Sequence, residues 1–166
     1  MYLAAGPANA EVRLLGSGAT LALARDAAAL LDRRFGVRAA VHSVTSWSLL
    51  ARDWMQQERA RRLGQPAASA WVEQQLAGGA PVVAAADYVR AVPESIRGAI
   101  RAPYVVLGCD GFGRSDTRAR LRDFFEMDAR WMTYSALHAL GWSSERLRAA
   151  AHELGLDLTR PAPWLV

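Results

Sequence analysis

A chain of 166 residues with 52% hydrophobic and 22% charged residues has the composition of one folded domain and excludes a disordered one. The formal net charge is +4, and all 20 basic residues are arginine; with few flanking aromatics and no nucleic-acid signature, they argue for solvated faces and ion pairs and against a nucleic-acid partner. The one cysteine, Cys109, excludes a disulfide scaffold and suits a reducing, cytoplasmic setting, and no window is long and apolar enough to span a membrane.

In chain order, residues 1–10 read as a lead-in. Gly6, Pro7 and Asn9 interrupt any regular pattern, and Met1 to Pro7 lack the basic start and long apolar core of a signal peptide. The domain proper is placed at 11–160, with 161–166 as a tail marked by Pro161 and Pro163. Val12 to Gly16 predicts a short strand, and Ser17-Gly18 a turn. Leu21, Ala24, Ala28, Leu31 and Phe35 recur at helical spacing, and Gly36 is placed to end that helix. Val37 to Val44 is β-rich; with the preceding strand and helix it makes a βαβ unit, whose strands should be parallel.

Thr45 or Ser46 can cap the next helix, whose buried stripe is expected at Trp47, Leu50 and Trp54 and whose end is charged through Glu58, Arg59, Arg61 and Arg62. Ser69 to Leu76 predicts a short helix, Pro81 to Ala86 a third strand, residues 88–101 one helix, and Tyr104 to Leu107 a fourth strand. A glycine-punctuated loop follows, with Ser115 or Asp116 expected to cap a helix packed through Leu121, Phe124 and Phe125. Asp128 caps a further helix to Leu140, with Trp131, Tyr134 and Leu137 inward; Ser143 or Ser144 caps a last one. The alternation of strands and helices predicts a three-layer α/β sandwich.

Little in this pattern carries catalysis. His42, His138 and His152 lie far apart, with no metal-ligand spacing. Cys109 has no histidine close in sequence and reads as a strand-end residue. A phosphate loop of the GxxxxGK[ST] type is impossible without lysine, and Gly16-Ser17-Gly18 lacks the full dinucleotide fingerprint. Asp87 and Asp110 both follow predicted strands, at the sheet edge where ligands usually sit. The loop Asp110, Gly111, Phe112, Gly113, Arg114, Ser115, Asp116 is the candidate site: it is either a plain connection or a small-anion or nucleotide-phosphate module using a helix start and Arg114.

The same residues carry a resemblance. Leu107-Gly108-Cys109-Asp110-Gly111-Phe112-Gly113-Arg114-Ser115-Asp116 resembles the LGTDGFGRSD signature of the homodimeric pyruvate dehydrogenase E1 component. Ser43-Val44-Thr45-Ser46-Trp47 is similar to that family's SVTSF, and Val12 to Gly18 to its VQLLGSG. Leu50-Ala51-Arg52-Asp53 and Glu58-Arg59 resemble the segments that follow in order. The likeness runs from about residue 11 to 140 and is expected to fade past Leu140.

The resemblance implies a transketolase-like C-terminal domain. Its fold would be a mixed, mostly parallel five-stranded sheet with helices on both faces. In the full enzyme, thiamine diphosphate and magnesium lie in other domains, pyruvate is oxidatively decarboxylated, and the acetyl unit passes to a lipoyl group on the partner dihydrolipoyl acyltransferase. This chain departs from the cofactor signature: Cys109-Asp110-Gly111 stands in place of Gly-Asp-Gly, and the sole asparagine, Asn9, lies upstream of it. Neither catalytic, cofactor-binding nor metal residues are therefore expected here. Cys109 also replaces the family's usual threonine. The resemblance implies a structural or assembly role, with a thiamine-diphosphate-binding E1 chain as partner, or a homodimer, and with the loop at 110–116 as an interface.

Overall fold

A computed structural model describes residues 1–165. Five strands form one sheet: β1 (Tyr2–Ala5), β2 (Val12–Gly16), β3 (Ala39–Ser43), β4 (Val82–Ala85) and β5 (Tyr104–Leu107), in the order β1-β3-β2-β4-β5. The β3-β2-β4-β5 pairs are parallel, and β1 is antiparallel to β3. This is the mixed, mostly parallel five-stranded sheet that the resemblance implied. The helices are α1 (Thr20–Phe35), α2 (Trp47–Arg62), α3 (Trp71–Gln75), α4 (Ala91–Glu94), α5 (Arg118–Phe124), α6 (Ala129–Ala139) and α7 (Ser144–Leu154).

Side chains alternate across a strand, so the central strands feed two cores. Leu14, Val83 and Ala85 join α1, α6 and α7 on one face through Leu31, Met132 and Leu137. Leu15, Val82 and Ala84 join α2, α3 and Ile96 on the other, with Trp47 and Leu50. Helices therefore cover both faces.

Local chemistry ends the elements where the sequence signals it. Ser46 accepts the Leu49 N–H at the start of α2, Asp128 accepts the Arg130 and Trp131 N–H groups at the start of α6, and Ser143 accepts the Arg146 N–H at the start of α7. Gly36 closes α1 at φ 64°, a left-handed conformation that glycine adopts freely.

Three expectations need correction. Residues 2–5, read as part of a lead-in, form β1, with Tyr2 opposite Ser43 and Leu3 opposite His42. Residues 88–101 are not one helix. They form the four-residue α4 and a separate 3-10 turn at Arg97–Ala99, because the backbone breaks at Ile96 and Gly98 passes so close to α2 that a Cβ there would lie 2.3 Å from the Trp54 ring. Leu121, Phe124 and Phe125 do not give α5 a core: no residue of this helix is buried.

Candidate functional site

The strand order fixes where a crevice can form. From β2 the chain crosses toward β3 on one face, and from β4 toward β5 on the other. The loops after β2 and β4 therefore diverge at the carboxyl ends of the strands, the usual place for a ligand in an open α/β sheet. A cleft of about 240 Å³ lies there, between Ala19, Asp87, Cys109, Arg118, Phe125 and Met127. A larger hollow, about 430 Å³, adjoins Gly78 and Ala99, on segments that enter β4 and β5 at their amino ends, away from the loop singled out by sequence.

Asp110 does not face the cleft as a free acid. Its Oδ1 accepts the Arg90 backbone N–H at 2.9 Å, and its Oδ2 accepts the Arg90 Nε–H at 2.5 Å. Burial pushes the carboxyl up, but the two Arg90 hydrogen bonds and the Arg90 charge outweigh it and hold Asp110 below the usual carboxylate range. The Arg90 guanidinium in turn lies 4.4 Å from the centre of the Trp164 ring. Gly111 permits this closure: at φ 104° it takes a conformation unfavourable to other residues, and a Cβ there would lie 3.0 Å from the Pro163 carbonyl oxygen and 3.1 Å from the Trp164 Cα. Three segments, 88–90, 108–111 and 163–164, are thus packed into one corner. Replacing Asp110 by alanine is expected to cost about 1 kcal/mol, a value discounted because the pair is partly exposed. Urea unfolding of Asp110→Ala, Arg90→Ala and the double variant should return a coupling of that size, and strictly additive effects would show that the pair contributes nothing.

The rest of the candidate loop is open. Residues 111–120 are all exposed. Arg114 stacks over the Phe124 ring, 4.0 Å from its centre. The cap of α5 is neither Ser115 nor Asp116 but Thr117, whose hydroxyl accepts the Arg120 N–H; Asp116 accepts the Thr117 N–H instead. The physical reason is that Thr117 holds the extended backbone a cap requires, with φ −64° and ψ 151°.

Cys109 is half-buried, its Sγ 3.2 Å from the Met127 Sδ. Burial pushes its thiol up, Asp87 and Asp110 push it further, and Arg122 opposes them. His42 sits on β3, three strands from β5 and so roughly 14 Å away at sheet spacing, too far to serve as a base. Asp87 and Asp110 both act on Cys109, but Asp110 is bound to Arg90 while Asp87 lines the cleft.

Sequence reasoning missed Arg90, Trp164 and Arg160. Arg160 donates from Nη1 to the Asp123 Oδ2 at 3.0 Å and from Nη2 to the Asp123 carbonyl, and it faces the Trp131 ring. Arg130 reaches the same Asp123 carboxylate at 2.5 Å. No local spacing announces these pairs: Arg160 and Trp164 reach their partners only when the tail folds back, and Arg90 reaches Asp110 from another loop.

The residues present do not fit thiamine diphosphate with its magnesium. Magnesium needs several oxygen donors in fixed geometry. Among the described residues no group of three histidine, cysteine, aspartate or glutamate side chains could hold a metal ion, and both Asp110 oxygens are taken by Arg90. No helix among the described residues is long and apolar enough to cross a membrane.

Comparison with known proteins agrees with this fold. The sequence model of the transketolase-like C-terminal domain matches residues 1–128. The pyruvate dehydrogenase E1 component of Pseudomonas aeruginosa is 47% identical over 134 residues, covering 78% of this chain and 15% of the relative. That of Cupriavidus necator is 40% identical over 163 residues, covering 94% of this chain and 18% of the relative. The family model thus ends before Leu140, while the match to the Cupriavidus necator relative covers nearly the whole chain. The chain spans less than a fifth of the length of these relatives. Among solved structures, transketolase from Leishmania mexicana superposes with a TM-score of 0.58 at 21% identity, over 97% of this chain and 19% of that one. Transketolase from Pichia stipitis gives 0.59 at 16% identity, over 84% and 18%. At such identities these two structures speak to the fold alone.

Proposed function

Because the chain belongs to the transketolase-like C-terminal domain family, we propose that it serves as the C-terminal domain of a pyruvate dehydrogenase E1, in a structural and assembly role, alongside a chain or domains that bind thiamine diphosphate. The observation that carries this reading is the 47% identity to the Pseudomonas aeruginosa E1 component across most of this chain. The geometry supports it. The corner built by Arg90, Asp110, Gly111 and Trp164 is filled by the protein's own side chains, and the Asp110 carboxylate is spent on Arg90. Such a corner shapes a rigid surface; it does not present a nucleophile or an acid–base pair to a substrate.

In this reading the decarboxylation of pyruvate and the transfer of its acetyl group toward a lipoyl-bearing acyltransferase belong to the partner domains. The cofactor supplies the electron-sink chemistry there. This chain completes the assembly in the cytoplasm, as a split subunit or as one domain of a longer polypeptide.

Co-expression with a thiamine-diphosphate-binding E1 chain that lacks this domain tests the proposal. The expected result is co-purification in a fixed ratio and a rise in pyruvate-dependent reduction of an artificial electron acceptor. A monodisperse monomer that never joins that chain and never raises its activity would overturn the reading.

A further inference from the structure

Between Gly108 and Met127, both buried, no residue is buried. The stretch nonetheless carries Phe112, 87% exposed, with Leu121, Phe124 and Phe125 only partly covered. α5 spans seven residues, too few to hold its shape on propensity alone. It is fastened by its Thr117 cap and by the Asp123 bonds to Arg130 and Arg160, which leave its outer face bare. The segment around it is strongly basic, with Arg118 and Arg122 beside the cleft at the carboxyl edge of the sheet and Arg114 and Arg120 toward the opposite side of the helix. Arg114, Arg118, Arg120 and Arg122 stand against Asp116 alone over residues 111–122, and none of the four has an ion-pair partner among the described residues. The chain as a whole carries +4, so most of its net charge sits on this one short segment.

The apolar surface continues beyond the helix. The Cys109 N–H donates to the Tyr88 carbonyl, and Gly111 packs on Trp164, so exposed Tyr88, Val89 and Trp164 border the same corner. The exposed end of α2, with Arg59 and Arg62, is basic too, but there Arg61 is paired with Glu73 and the exposed Trp71 ring is tied through its Nε1–H to the Met1 carbonyl.

We propose that residues 112–125, with Tyr88 and Trp164 at their border, form the surface through which this chain docks on an acidic, apolar-centred face of the thiamine-diphosphate-binding E1 chain. This rests on the assembly reading above and names the face that performs it. Charge complementarity selects the occupant. Four unpaired guanidiniums call for carboxylates opposite them, and the exposed aromatic centre calls for apolar contact, as in the anchors of protein interfaces. Single-stranded nucleic acid would need open ring faces to stack on, and Arg114 already covers one face of Phe124. The relatives carry this domain in chains of which it makes up 15–18%, so in them the same surface has a large body of polypeptide to meet.

The test is a binding titration of the purified chain against that E1 chain, by fluorescence anisotropy. Arg118→Glu/Arg120→Glu and Phe112→Ser should each raise Kd about tenfold or more, the equivalent of a lost anchor. Wild-type binding should weaken between about 50 and 300 mM salt as screening takes hold. Arg59→Glu/Arg62→Glu, on the exposed end of α2, should bind as wild type. All these positions are exposed, so thermal unfolding should be unchanged. Wild-type affinity in the α5 and Phe112 variants, or a loss confined to the α2 variant, overturns the docking face and leaves the assembly reading standing. Absence of any wild-type binding overturns both. Binding to phosphatidylserine vesicles or to a short RNA that the α5 variant abolishes, without loss of E1 binding, also overturns the proposal.

Discussion

Gly16→Ala should lower stability by about 3 kcal/mol, at the upper end of overpacking effects, and the melting temperature by roughly 6–12 °C for a domain of this size. Gly16 ends β2 where α1 begins, and a Cβ there would lie 2.6 Å from the Leu21 Cα and 2.8 Å from the Thr20 carbonyl oxygen. These are backbone atoms, and they cannot easily retreat. Thr20 is fully buried, and its hydroxyl is within donating distance of the Ala85 carbonyl at 2.7 Å and of the Ser17 carbonyl at 3.0 Å. It also accepts the Ser17 N–H at 2.9 Å. On the other side, the Gly16 carbonyl accepts the Val44 N–H at 2.8 Å. The added methyl must therefore push α1 off the tie between β2 and β4, or push β2 off β3. Gly18→Ala is the control. Gly18 has φ 57° and nothing within 4 Å of an added Cβ, so it should lose only the conformational cost of about 1 kcal/mol. Circular-dichroism melts of the two variants should separate clearly; equal losses would show that the close approach at Gly16 is not the reason for its glycine.

The same corner illustrates what a sequence can show. Val12 to Gly16, Val82 to Ala85 and Tyr104 to Leu107 are legible as strands because burial on both faces leaves a nearly continuous apolar run. The caps at Ser46, Asp128 and Ser143 are legible because their chemistry is local. β1 is not, because an edge strand with exposed Tyr2 and Leu3 has no burial pattern to read, and it exists only by pairing with β3. Nor is the division of residues 88–101, where Gly98 answers to the ring of Trp54 on another helix. The candidate loop divides in the same way. Its turn could be read from its glycines, but the use of Asp110 could not, since Arg90 and Trp164 reach it from other parts of the chain. The motif identified ancestry, and the contacts that explain the motif appear only in three dimensions.

His42 should make the fold lose stability between pH 6.5 and about 4, ahead of most of the carboxylate titration. The side chain lies on β3, 5% exposed, and its Nδ1 has no hydrogen-bond partner. Burial pushes its pKa from 6.5 down to about 4; Arg13 on β2 and the chain's amino group push the same way, against a smaller opposing pull from the Ala40 backbone. The folded chain thus binds a proton on His42 less readily than the unfolded chain. The contribution is fully present above pH 6.5, declines as the unfolded state takes up its proton, and is gone once pH falls through the folded value near 4. At about 1.4 kcal/mol per pKa unit its full size is on the order of 3 kcal/mol. Asp110 and Asp123, both held below the usual carboxylate range, lose their contributions lower, as pH falls below the ordinary aspartate value of 3.8. Urea unfolding at pH 7.5, 5.5 and 4.5 should therefore show a steady decline in the wild type. In His42→Leu, whatever its stability at pH 7.5, that slope should be largely absent. An unchanged slope in the variant would mean that His42 is charged in the folded protein, with its imidazole matched by a partner or by water that the burial of β3 was taken to exclude.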